Sequence, residues 1–146
     1  MSNPTTASAE RVQELVDANH ILHHQGIVDA FGHVSVRHDR DPARFLLARN
    51  IAPVRVQAAD ILEYAVDTGE PLMPDAPKLY LERYIHSEIY QARPDVMAIC
   101  HHHADAVLPF CATGMELVPI YHLGATMGPK VPVSYTHLTL PTIYSV

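Results

Sequence analysis

The sequence predicts one mixed α/β domain, and three observations predict it. A stretch near the start places apolar residues at helical spacing, several short runs alternate or cluster them as strands do, and Val96-Met97-Ala98-Ile99-Cys100 is a continuous apolar run of the kind found in buried central strands. At 146 residues there is room for one core, and 48% apolar with 18% charged residues excludes wholesale disorder, collagen-like repetition and a coiled coil.

Taken in order, Val12, Leu15, Val16, Asn19 and Leu22 trace one face of a helix, with Ser8 as N-cap and Gly26 as its stop. Val34-Ser35-Val36-Arg37 alternates after Gly32 and reads as a strand, Phe45-Leu46-Leu47-Ala48 as its neighbour, and Asp60 to Val66 as a third, closed by the turn Asp67-Thr68-Gly69-Glu70. A proline-rich loop, 71–77, leads to a helix over Lys78 to Ala92 that Arg93-Pro94 ends, because a residue before proline resists helical geometry. After the apolar run come a short helix over Ala104 to Thr113, bent by Pro109, and a last strand, Leu117 to Tyr121.

Charge and hydropathy narrow the function. Ten Lys and Arg against 16 Asp and Glu give a net charge of −6 with scattered basic residues, which argues against a nucleic-acid surface. No apolar run approaches the roughly 18 residues that would span a membrane, and the polar start lacks a signal core, so the expected setting is the cytoplasm. Cys100 and Cys111 are too few for a disulfide framework and read as buried thiols in a reducing compartment.

The chain has 11 His and no Trp. His101 and His103 project to one side of an extended backbone, with His102 on the other, so two imidazoles stand together at the mouth of a strand. Neutral imidazole suits zinc and other late first-row cations, and a catalytic zinc takes three protein ligands, so the pair is half of a metal site; it equally describes a polar histidine cluster at a strand end. Glu82, early in the preceding helix with His86 one turn on, could shuttle a proton beside such a site or simply complement the helix dipole. Gly32 opens a strand where backbone could approach a ligand closely.

Together these segments resemble the class II aldolase/adducin family. Gly32-His33-Val34-Ser35-Val36-Arg37 is similar to its Gly-Asn-x-Ser-x-Arg segment, Glu82 with His86 to its catalytic glutamate helix, and Arg93-Pro94-Asp95 leading to His101-His102-His103-Ala104 to its His-x-His-Ala metal segment. The resemblance implies an α/β/α fold around a central, mainly antiparallel sheet, assembled as a homotetramer with active sites between subunits. It implies His101 and His103 as ligands of a divalent metal, zinc first and manganese or magnesium as alternatives, and Glu82 as the proton-transferring acid/base. The family's third ligand is a downstream His; His122 does not match that position, and His137 falls in a suspect tail.

That tail, Val133 to Val146, has no charged residue and resembles the translation of a transposon-end adapter, the other reading being a natural strand. The expectation is a C-terminally truncated domain over 1–132, a non-native 133–146, and little activity from the fragment itself. Where sugar-phosphate members of the family hold phosphate with an Asn, a Thr/Ser-Gly pair and two serines, this chain has His33, Arg49-Asn50 and Tyr80-Leu81. The phosphate cradle is thus replaced, and Arg49, with His33, Ser35 and Asn50, is expected to bind a small-molecule carboxylate. The segments around His101–Asp105 and Pro119–Ala125 resemble the family's decarboxylase branch. The expected activity is that of a metal-dependent carbon–carbon lyase decarboxylating a hydroxy- or oxo-carboxylate from aromatic breakdown. The alternatives are an aldolase or epimerase on sugar phosphates and a non-catalytic adducin-like module.

Overall fold

The computed structural model describes residues 6–113 and 115–120, and the chain divides into two units, Met1–Ala104 and Asp105–Val146. In the first unit, α1 (Ala9–His24) starts at the expected cap, where the Ser8 hydroxyl accepts the Arg11 N–H at 3.1 Å and so satisfies one first-turn donor. It ends at Gln25, followed by Gly26 at φ +67°, a left-handed conformation that glycine adopts without Cβ strain.

Four strands, β1 (His33–Arg37), β2 (Arg44–Ala48), β3 (Ile61–Ala65) and β4 (Ala98–His101), form a sheet of order β3-β2-β1-β4 in which every pair is antiparallel. Because side chains alternate across a sheet, each strand serves two layers. Val34, Val36, Leu46 and Ile61 face one way and pack with Leu15 of α1. Phe45, Leu47, Leu62 and Tyr64 face the other, where Tyr80 and Tyr90 cover them. Tyr90 belongs to α2 (Arg83–Ala92), so the unit is helix, sheet, helix, the expected α/β/α order.

Five expectations need correction. The helix expected from Lys78 begins at Arg83, which makes Glu82 its N-cap residue. The Asn50 N–H donates to the Lys78 carbonyl at 2.8 Å and the Tyr80 hydroxyl donates to the Ile51 carbonyl, so residues 78–80 are spent on the end of β2 rather than on a helical turn. Among the described residues the apolar run 96–100 does not make a central strand: β4 stands at the edge of the described sheet, paired there with β1 alone. Ala98 and Cys100 lie on the α1 side of the sheet, opposite Val36 and Val34, and are exposed, because α1 packs over β1, β2 and the turns at 53–60. Cys111 is exposed as well, so neither cysteine is the buried thiol expected. In the second unit, α3 (Leu108–Thr113) is shorter than the helix expected over 104–113, and 115–120 form no strand, having no pairing partner among the described residues.

His122, His137 and the tail 133–146 lie outside the described residues. No described helix is long and apolar enough to cross a membrane.

Candidate active site

β1 and α2 run side by side, and their repeats match. Two residues of strand advance about 6.7 Å and four residues of helix about 6 Å, so every second side chain of β1 meets one further turn of α2. His33 Nε2 lies 3.1 Å from Glu82 Oε2, Ser35 Oγ lies 2.6 Å from His86 Nδ1, and Arg37 donates to the Tyr90 carbonyl at 3.0 Å. The polar residues of β1, which alternation alone would send to solvent, are therefore buried beneath a helix.

Arg37 anchors the C-terminal end of that helix. Its guanidinium donates to the carbonyls of Tyr90, Arg93, Val96 and Pro42 at 2.8–3.2 Å and stacks 4.6 Å from the Tyr90 ring centroid. A cation at the carbonyl end of a helix is favourably placed against the helix dipole.

Further along, His86 Nε2 lies 2.8 Å from His33 Nδ1, and Ser35 Oγ is also 2.9 Å from the Tyr90 hydroxyl. Burial pushes His86 down to about 3, helped by His33 and His101, and burial lowers His33 despite the opposing pull of Glu82. Both rings are therefore neutral near pH 7, and the His33–Glu82 contact is a hydrogen bond rather than an ion pair. Tyr80 lies against the same ring, with centroids 4.5 Å apart.

β4 brings in the rest. His101 pairs directly with His33 across the ladder, and His103 folds back so that the two Nε2 atoms of His101 and His103 come within 3.2 Å. Glu82 Oε1 is 3.4 Å from His101 Nε2. Bonds of about 2.0–2.1 Å to a tetrahedral zinc put neighbouring donor atoms about 3.3 Å apart, so these separations fit a divalent cation. Burial lowers His101, which keeps its imidazole in the neutral form a metal requires. Asp29, whose Oδ1 accepts the Phe31 and Gly32 N–H groups, faces His103 Nδ1 with its other oxygen at 3.6 Å. Among the described residues, His33, Glu82 and His101 are the group of three that each offer a ligand atom within 4.8 Å of one another, and His103 adjoins this group through His101.

Of the residues singled out in the sequence, the structure brings together Glu82, His101, His103 and His33. Ser35 is fully buried and its hydroxyl is spent on His86 and Tyr90, so it supports the cluster from beneath. Arg49 is held apart, its Nε donating to Asp60 at 2.6 Å, and it lines a cavity of about 300 Å³ with Ile51, Arg55, Gln57 and Asp60. Asn50 spends its N–H on Lys78. Sequence reasoning did not find Tyr90 or Asp29; the helical spacing of Glu82, His86 and Tyr90 was the available signal for the first.

Residues 13–144 match the family described as the class II aldolase and adducin N-terminal domain. Decarboxylase tropJ of Talaromyces stipitatus is 40% identical over 122 residues, 83% of this chain and 46% of that protein. An L-fuculose 1-phosphate aldolase structure from Glaciozyma antarctica PI12 superposes with a TM-score of 0.65 at 28% identity, over 80% of this chain and 51% of that one. A further L-fuculose 1-phosphate aldolase reaches a TM-score of 0.76 at 23% identity, over 90% of this chain and 62% of that one, a likeness of fold alone. The chain thus spans about half the length of the decarboxylase and of the first aldolase.

Proposed function

The chain belongs to the class II aldolase and adducin N-terminal domain family, and from that premise we propose that it forms part of a metal-dependent carbon–carbon lyase that decarboxylates a hydroxy- or oxo-carboxylate from aromatic breakdown. The observation that carries this reading is the place of His101 Nε2, 3.2 Å from His103 Nε2 and 3.4 Å from Glu82 Oε1. His101 and His103, with Glu82 beside them, would hold a divalent cation, zinc by the chemistry of its donors, which would supply positive charge to stabilise the electrons left on the substrate when carbon dioxide departs. Glu82, whose side chain is 44% exposed, would take a proton from solvent and pass it to the carbon left behind. Arg49, with its Nε held by Asp60, offers its terminal guanidinium N–H groups to the substrate carboxylate, as does the Asn50 side-chain amide, while His33 and Ser35 hold Glu82 from below. In this reading the protein is a homotetramer.

Decarboxylation is favoured by the 40% identical decarboxylase and by what stands where sugar-phosphate members hold phosphate. Tyr80 is buried with its hydroxyl given to Ile51, and Leu81 is 82% exposed, so neither offers a hydroxyl to an anion. The test is carbon dioxide release from hydroxylated aromatic carboxylates by the full-length gene product, before and after chelation. Release that stops on chelation and returns with zinc is expected; turnover unchanged by metal stripping ends the reading.

The 28% identical aldolase supports a second reading, cleavage of a sugar phosphate through the same metal-assisted chemistry. Release of an aldehyde from a phosphorylated ketose, with no carbon dioxide from any carboxylate, would select it.

A further inference from the structure

The side chains beneath Glu82 form an unbroken line: Tyr90 hydroxyl, Ser35 hydroxyl, His86 ring, His33 ring and Glu82 carboxylate, with links of 2.9, 2.6, 2.8 and 3.1 Å. A neutral imidazole has one donor and one acceptor nitrogen, so the proton on one ring decides the proton on the next. Run end to end, the line has two directions; a third arrangement, in which the Ser35 oxygen accepts from both Tyr90 and His86, leaves the buried Ser35 proton without an acceptor among the described residues. In the first, Tyr90 donates to Ser35, Ser35 to His86 Nδ1, His86 Nε2–H to His33 Nδ1, and His33 Nε2–H to Glu82. In the second every donor is turned round, and His33 Nε2 presents a lone pair that could take a cation.

Both ends choose the first direction. Ser35 is the only hydrogen-bond partner of the Tyr90 hydroxyl among the described residues, and Tyr90 is 1% exposed. With the line turned round, Ser35 would donate to Tyr90 and leave the phenolic proton buried without an acceptor among those residues. At the other end an ionised carboxylate only accepts, and a bare His33 Nε2 at 3.1 Å would set lone pair against lone pair.

We propose that Tyr90, Ser35 and His86 lock His33 as its Nε2–H tautomer, so that His33 is a positioning residue that donates to Glu82 and stands outside the cation's donor set. Proximity alone would have counted His33 as a ligand, since it lies as close to Glu82 and His101 as one. The direction of the hydrogen bonds removes it from that group and leaves Glu82 and His101, with His103 beside His101. The inference rests on the metal-dependent reading only for the cation; the proton assignment stands without it.

The experiment is nitrogen NMR of protein isotope-labelled in its histidine rings, recorded without metal and then with an NMR-active cadmium isotope as the probe. His33 and His86 are expected to carry hydrogen on Nε2 and none on Nδ1, and His33 to show no coupling to cadmium. A His33 protonated on Nδ1, or split by cadmium, overturns the inference. If no histidine couples to cadmium while His33 keeps its Nε2–H, the metal reading fails and this inference holds. Cadmium titration adds a second measurement: the amide of His33→Gln can still donate to Glu82, so the affinity of that variant falls by no more than about 10- to 100-fold, and by less than that of His101→Gln, which removes a donor. Equal losses in the two variants overturn the inference as well.

Discussion

His33 and His101 sit directly opposite each other across the β1–β4 ladder, their rings stacked with centroids 4.8 Å apart and planes 17° from parallel. Gly32 stands just before this pair, and its missing side chain is what lets β4 close in. A Cβ there would meet Val28 Cβ at 2.7 Å and the His101 carbonyl oxygen at 3.2 Å. Gly32→Ala is therefore expected to cost about 1–3 kcal/mol, since Val28 is buried and cannot give way. Urea unfolding measures the cost, and an unchanged midpoint would show that β4 is not seated on this glycine.

Glu82→Gln tests the proton-transfer role. The amide oxygen of Gln can still accept from His33 and the side chain keeps its volume, but it cannot carry a proton. A fall in kcat of about 10²- to 10⁴-fold with an unaltered unfolding midpoint is expected. Full activity would remove Glu82 from the reaction.

Acid should weaken the fold through His86. Its pKa lies near 3 in the folded chain, against an ordinary value of 6.5 when unfolded, so between these values the unfolded state binds the extra proton. The contribution to stability is complete above about pH 6.5 and is lost as the pH falls toward 3, at up to roughly 1.4 kcal/mol per unit. Urea midpoints measured from neutral pH down to about pH 4.5 should fall, and His86→Gln should flatten that part of the profile. An equally steep profile in the variant would place the acid sensitivity elsewhere.

Arg37→Lys keeps a charge but not the planar fork that reaches four carbonyls. A loss of about 3 kcal/mol or more is expected, with faster hydrogen exchange in the last turn of α2. Wild-type exchange there would mean that the apolar contacts of Tyr90 hold the helix unaided.

Much of this architecture was legible in the residues themselves. Ser8, Gly26 and the spacing of Leu15, Val16 and Asn19 are local signals, and they delimited α1 closely. The alternation that puts His101 and His103 on one side is also local, and their Nε2 atoms do converge. What local pattern could not reveal is which neighbours each strand acquires. An apolar run such as 96–100 reads alike whether strands flank it on both sides or on one, so the edge position of β4 was out of reach. The late start of α2 depends on Asn50 and Ile51 binding Lys78 and Tyr80, residues far apart in the chain. Ser35, His86 and Tyr90 likewise meet only because strand and helix advance at nearly equal pitch, a match that exists in three dimensions alone.

The two attachments of α2 differ in kind. At its C-terminal end the Arg37 guanidinium, held by carbonyl oxygens, has no proton to gain in acid; at its N-terminal end the contacts to β1 run through imidazoles, and ionisation spoils them. Acidification therefore releases the helix asymmetrically. The contacts that hold Glu82 to the histidines are thus the acid-sensitive ones, and those that hold Tyr90 and Arg93 are not.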